Sequence, residues 1–280
     1  MSSQLLQGHV AEAAARRQTD SSMVSEKSTW GAVPEGFAKI VDGCGNRLVV
    51  RQDRADHIDF SICQNDFLHG GEPSPYHGRG ALRSKELPNG EVVLIRPYRH
   101  GGCFRRVTGE HFFTWPPRPF RELAVTEELR HRGLRTAEVY AACVSRPLGP
   151  FYRGWLVTKR LRGAEDFWSA LQSGLIQQIG LETALHAVAE SIRTMHRQGV
   201  YHADLNLKNI LLRVEAGGVT SYIIDYDKAK LFLGNLPAAL AERNLARLWR
   251  SARKLDPAEQ FFTAAARDQL MSFYYGAQHA

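Results

Sequence analysis

The densest group of residues able to do chemistry is Tyr201-His202-Ala203-Asp204-Leu205-Asn206-Leu207-Lys208-Asn209, which runs into the apolar stretch Ile210-Leu-Leu212. A second group, Tyr222-Ile-Ile-Asp225-Tyr-Asp227, follows shortly after it. An aspartate with an amide five residues on, and another aspartate at the end of a neighbouring strand, supplies hard oxygen ligands. That set suits Mg²⁺, which takes one or two protein oxygens and leaves its other positions to water and substrate phosphates. The remaining aspartate, Asp204, can accept the proton of a substrate hydroxyl. Taken singly, Asp204 and Asn209 read as turn caps and Asp225 as a strand end. Their joint spacing between apolar runs points to phosphoryl transfer.

Several elements must position these groups. Leu181, Leu185, Val188, Ile192 and Met195 recur at helical spacing and predict a helix that ends at Gly199. Ile210–Val214 and Val219–Ile224, joined through Gly217-Gly218, predict a hairpin. Asp204 and Asn209 then flank a loop between helix and strand, and Asp225 ends the partner strand. Earlier in the chain, Ala81–Leu87 and Glu91–Tyr98 predict a second hairpin around Pro88-Asn89-Gly90, with Asn-Gly favouring a type I′ turn. Gly78-Arg-Gly80 precedes it. That glycine turn either brings backbone close to a phosphate or is an ordinary loop. Residues 118–132 predict a helix with Phe120, Leu123, Ala124 and Leu129 on one face and Gly133 as its stop. Trp155–Leu161 predicts a strand. The pattern is α+β, with a β-rich first half and a mainly helical second half.

The loop resembles the catalytic loop of the protein-kinase superfamily, H-R-D-L-x-x-x-N followed by D-F-G. Ala203 replaces the arginine, Asn206 replaces a lysine, and Asp225-Tyr-Asp227 stands for D-F-G. Without the arginine, control by activation-loop phosphorylation is not expected. Only 280 − 225 = 55 residues follow Asp225, and none of them form Ala-Pro-Glu. A peptide-binding platform is therefore not expected, and the acceptor should be a small molecule or glycolipid. Val93-Leu-Ile-Arg96 resembles V-A-I-K with arginine in the lysine position, which still permits bidentate phosphate binding. Glu122 is the expected partner of Arg96, with Glu127 and Glu128 as competitors.

More narrowly, the chain resembles the lipopolysaccharide-core kinase family. The matching stretches include Gly78-Arg-Gly80, Val93–Gly102, Arg118-Pro-Phe-Arg-Glu122, Gly199–Asn206, Asn209–Leu212, Ile224–Lys228 and Asn244-Leu-Ala-Arg-Leu248. The resemblance implies a two-lobed protein-kinase-like fold. Residues 1–34, rich in Ser, Ala, Gln and charge, read as a mobile extension, and the lobes would be a nucleotide-binding N-lobe over 35–161 and a catalytic C-lobe over 162–280. It implies an ATP- and Mg²⁺-dependent kinase acting on the 4-hydroxyl of 3-deoxy-D-manno-octulosonic acid (Kdo) on a lipid A precursor, at the cytoplasmic face of a Gram-negative inner membrane. Asp204 would take the hydroxyl proton, Asn209 and Asp225 would hold Mg²⁺, and Arg96 with Glu122 would clamp the nucleotide beside Gly78 and Gly80. Asp227 stays open between a further metal ligand and a structural acid. His202 is expected to brace the loop. A kinase for a core heptose or another small alcohol, and a nucleotide-binding scaffold without turnover, remain as alternatives.

Arg243, Arg247, Arg250 and Lys254 recur along a predicted helix, and the net charge is 36 − 29 = +7. The row reads as a face for anionic lipid, as a solvated basic face, or as Arg247 and Arg250 packing back on the catalytic loop. Nucleic acid is not expected, because no zinc motif or RNP-like aromatic pattern occurs. With 44% hydrophobic and 23% charged residues, the chain is neither collagen nor coiled coil. Neither a secretory signal nor a membrane-spanning run is expected. No CxxC pair occurs among Cys44, Cys63, Cys103 and Cys143, which are expected as four free thiols in a reducing cytoplasm.

Overall fold

The computed structural model describes residues 30–63, 82–99, 111–148 and 151–276. These fall into two compact units. One holds the described residues up to Lys85 and those within Ile95–Ala124 and Tyr140–Val157. The other holds Glu86–Leu94, Val125–Val139 and the described residues from Thr158 on.

A six-stranded sheet supplies the β-rich part. Its strands are β1 (Phe37–Val41), β2 (Arg47–Arg51), β3 (Arg83–Glu86), β4 (Val92–Pro97), β5 (Val139–Leu148) and β6 (Phe151–Lys159), in the order β1-β2-β5-β6-β4-β3. The pairs β1–β2 and β2–β5 are antiparallel, with Leu48 opposite both Ile40 and Cys143. Helix α1 (Arg118–His131) follows β4 in the described chain, and Gly133 stops it at φ 82°. In the first unit Leu48, Val50, Ile95, Phe120, Tyr140 and Tyr152 are buried. Trp30, within the stretch expected to be an extension, is buried and stacks on Phe120 at 5.5 Å.

Two expectations need correction here. The turn joining β3 and β4 is closed by the Gly90 N–H donating to the Leu87 carbonyl at 2.9 Å. Gly90 has φ 76°, whereas Asn89 keeps a negative φ. A type I′ turn needs positive φ at both central residues, and Pro88 already fixes the first central position of this turn at negative φ. The result is a proline-led turn followed by a left-handed glycine. Cys143, buried on β5, is disulfide-bonded, whereas Cys44 is a free, exposed thiol. The expectation of four free thiols therefore fails at Cys143. Sequence spacing says nothing about which sulfurs a fold brings together, and cysteine usage no longer argues for a reducing compartment.

The second unit is mainly helical. After β7 (Ala164–Asp166) come α2 (Phe167–Gln172), α3 (Leu175–Ile179) and α4 (Leu181–Arg197). On α4, Leu185, Val188, Ile192 and Met195 are fully buried at the expected period. Glu182 in its first turn and Arg197 in its last suit the helix dipole. Next are β8 (Val200–Tyr201), the hairpin β9 (Ile210–Glu215) and β10 (Gly218–Ile223), β11 (Lys230–Leu231), α5 (Ala238–Leu255) and α6 (Ala264–Tyr275). The hairpin pairs Ile210 with Ile223 and Glu215 with Gly218. The core gathers α4, α5, α6 and the inner faces of β9 and β10, with Leu212, Ile223, Leu248 and Leu270 buried in it.

One close approach sets the entry to the loop. Gly199 has φ 71°, and a Cβ placed there would lie 2.3 Å from the Gly234 carbonyl oxygen and 2.4 Å from that of Phe232. Beyond it, β8 pairs with β11, Val200 opposite Leu231.

Candidate active site

The loop from His202 to Asn209 is held mainly through its backbone. His202 Nε2 lies 3.0 Å from the Ile224 carbonyl, and a carbonyl can only accept, so Nε2 carries the proton. Nδ1 then accepts the Asp204 N–H at 3.1 Å. Burial depresses the pKa of this fully buried imidazole and keeps it neutral, which fits that tautomer. The Asp204 carbonyl accepts from Asn206 Nδ2 at 2.8 Å and from Asn209 Nδ2 at 2.9 Å. The Ile224 N–H donates to the Asn209 carbonyl at 2.9 Å. Ile224 is thus pinned from both sides, and Asp225 follows it at φ 69°. Aspartate is one of the few non-glycine residues that enters this left-handed region readily.

The structure therefore brings Asp204, Asn209 and Asp225 onto one hydrogen-bonded framework, with Asp227 two residues further on. No cluster of three or more His, Cys, Asp or Glu suited to a metal occurs among the described residues. The donor set here is an amide and a carboxylate. Asn209 commits its nitrogen to the Asp204 carbonyl, and an amide ligates through its oxygen. Two hard oxygen donors fit Mg²⁺ and would not fit a closed all-protein cage.

In the other unit, Arg96 on β4 meets Glu122 on α1. Arg96 Nη2 lies 2.6 Å from Glu122 Oε1 and 2.5 Å from Oε2. The Tyr98 hydroxyl donates to the same carboxylate, and the Arg96 guanidinium lies 5.0 Å from the Tyr98 ring centroid. Glu122 is buried, whereas Arg96 keeps a third of its side chain exposed. Of the three candidate acids, Glu122 is thus the one paired with Arg96; Glu128 instead pairs with Arg132. Gly78 and Gly80 lie outside the described residues.

Four further residues complete the picture, of which only Arg247 had a reading in the sequence, as an arginine packing back on the catalytic loop. Asn244, fully buried on α5, takes the His202 N–H on Oδ1 at 3.0 Å and donates Nδ2 to the His202 carbonyl at 2.7 Å. Its Oδ1 also faces His196 Nε2 at 3.2 Å, and His196 Nδ1 lies 2.7 Å from the Tyr274 hydroxyl. Because Asn244 Oδ1 can only accept, His196 carries its proton on Nε2 and accepts from Tyr274 on Nδ1. A buried polar chain thus runs from α6 through α4 and α5 to the loop. Arg247, one turn beyond Asn244, forms an ion pair with Asp204. It leaves the basic row on α5, where Arg243, Arg250 and Lys254 remain exposed.

Burial lowers the His196 pKa to about 4, against 6.5 when unfolded. The unfolded chain therefore binds a proton near pH 6.5 that the native chain refuses until about pH 4. Stability from this group is full above pH 6.5 and falls as pH drops through that window. The slope approaches about 1.4 kcal/mol per pH unit per histidine, and His202 adds in the same direction. Denaturant titrations between pH 7 and 4.5 should show the decline, with a shallower slope in His196→Gln. Equal slopes in both proteins would remove His196 from the effect.

Comparison with known proteins gives the fold class and the family. A solved structure described as WaaP in complex with acyl carrier protein covers 82% of this chain and 88% of its own, at 18% identity and a TM-score of 0.50, and places the fold in the protein-kinase-like class. The chain belongs to the lipopolysaccharide kinase (Kdo/WaaP) family, whose model matches residues 74–274. It is therefore a kinase, a phosphotransferase with an alcohol group as acceptor. Among curated relatives, 3-deoxy-D-manno-octulosonic acid kinase of Vibrio vulnificus (strain YJ016) is 35% identical over 185 residues, covering 63% of this chain and 71% of the relative. The protein of the same name from Pasteurella multocida (strain Pm70) is 32% identical over 183 residues, covering 63% and 73%. That from Xanthomonas campestris pv. campestris (strain B100) is 36% identical over 183 residues, covering 64% and 68%.

Proposed function

We propose that this protein transfers the γ-phosphoryl group of ATP to the 4-hydroxyl of Kdo on a lipid A precursor. The observation that carries this reading is the framework joining Asp204, Asn209 and Asp225, in a chain whose curated relatives bear the name of that kinase. Asp204 orients the acceptor hydroxyl and takes its proton. Asn209 and Asp225 hold Mg²⁺, which when bound neutralises phosphate charge. Arg96, steadied by Glu122 and Tyr98, binds nucleotide phosphate, and Gly78 and Gly80 belong to the same function. Asp227 is a further metal ligand or a structural acid. Positioning and charge neutralisation supply most of the acceleration. Residues 35–161 serve as the nucleotide-binding lobe and 162–280 as the catalytic lobe.

The need for ATP places the reaction at the cytoplasmic face of the inner membrane. Among the described residues no helix is long and apolar enough to cross a membrane. Exposed Arg243, Arg250 and Lys254 suit peripheral attachment to anionic lipid.

The test is mass spectrometry of a Kdo-bearing lipid A precursor after incubation with the protein and Mg·ATP. A mass gain of one phosphate is expected, and it should disappear with Asp225→Ala. No gain from a folded protein that binds ATP would overturn the acceptor assignment and bring forward a core heptose.

A further inference from the structure

Arg247 has no part in the roles above, yet it touches the candidate base. Its Nη2 donates to Asp204 Oδ1, and its Nε–H is buried with no partner among the described residues. A guanidinium carries five N–H donors, so most of its donor capacity is uncommitted to Asp204. The two side chains are 38% and 36% exposed, and an ion pair so open to water contributes little stability. Its position is nevertheless fixed. Asn244 binds both the N–H and the carbonyl of His202, so α5 cannot shift against the loop, and one helical turn then delivers Arg247 to Asp204.

We infer that Arg247 is the acceptor-recognition residue of this site and binds the carboxylate of the sugar acid whose hydroxyl Asp204 takes. This inference rests on the proposed function. In a 3-deoxy-2-ulosonic acid the carboxylate is attached to C2 and the reacting hydroxyl to C4, with one methylene between those carbons. A base and a guanidinium in contact with each other match two groups that close together. The guanidinium fork fits a carboxylate bidentately, whereas a neutral heptose offers no anion to hold. A bare Asp204 would also repel an acidic acceptor, and the adjacent cation offsets that repulsion. The same arginine therefore pairs with Asp204 in the free protein and discriminates for an acidic sugar when the acceptor arrives.

The experiment compares wild type and Arg247→Gln on two acceptors at saturating Mg·ATP: a Kdo-bearing lipid A precursor and its Kdo methyl ester. In wild type, esterification should lower kcat/KM roughly 10- to 100-fold, chiefly through KM. In Arg247→Gln the two acceptors should become nearly equal, and Arg247→Lys should recover part of the discrimination by charge without the fork. If esterification costs the same in wild type and Arg247→Gln, Arg247 serves only to position Asp204 and the inference falls. Wild type that uses ester and acid equally well also overturns it, while leaving the proposed function standing. Wild type that phosphorylates neither acceptor but does phosphorylate a neutral heptose acceptor removes the proposed function itself.

Discussion

Asp204→Ala should lower kcat by roughly 10²–10⁴-fold, with the protein folded and nucleotide binding largely kept. The reason is a separation between backbone and side chain. The contacts that build the loop use the Asp204 N–H and carbonyl, bonded to His202, Asn206 and Asn209. Alanine keeps all of them. The carboxylate itself meets Arg247 at the surface, and losing that pair costs little stability. Single-turnover rates measured beside thermal melts check both halves. A rate within a few-fold of wild type would remove Asp204 from the chemistry, and a large drop in melting temperature would show that the side chain is structural.

Asn244→Ala should act in the opposite way, on stability first. The amide is fully buried and serves the His202 N–H, the His202 carbonyl and His196 together. Its removal leaves three buried polar groups without partners, at about 1–3 kcal/mol each before water or relaxation compensates. A net loss of about 3–4 kcal/mol is expected, visible as a fall in the denaturant midpoint. Equal stability of wild type and Asn244→Ala would mean that the loop is held elsewhere.

These two residues also show what could be read from the chain. Asp204, Asn209 and Asp225 lie in a short contiguous stretch, so their chemistry was legible as a motif. The helix ending near Gly199 and the hairpin after Asn209 were legible too, because each carries a clean period and glycine punctuation. Arg96 with Glu122 was within reach once the hairpin and helix were placed. Asn244 was visible only as part of a family match. Its partner His202 is 42 residues away, and its bonds run to backbone atoms that leave no trace in residue type. In the row Arg243, Arg247, Arg250, Lys254, the reading that Arg247 and Arg250 pack back on the loop holds for Arg247, which meets Asp204, whereas Arg250 faces water. Strands β1, β2 and β5 were missed. β5 holds a nearly continuous buried run, Val139–Val144, which lacks the alternation of a half-exposed strand. The turn at Pro88-Asn89-Gly90 was misread because the Asn-Gly signal was taken without the proline before it.

Gly199 bears on how this chain can change over time. Two backbone segments touch there with no side chain between them, so their separation is already at its minimum. A methyl group at position 199 must push the 232–234 segment outward, and the pairing of Val200 with Leu231 lies immediately beyond. Insertions and deletions on either side of this point are constrained in the same way. Adding a residue between Gly199 and His202 would move Asp204 out of step with Asn244, while the carbonyls across the contact leave no slack to absorb it. Lineages descended from this sequence should therefore vary freely at the hairpin tip around Ala216-Gly217 and keep fixed length and an unsubstituted glycine at the mouth of the loop.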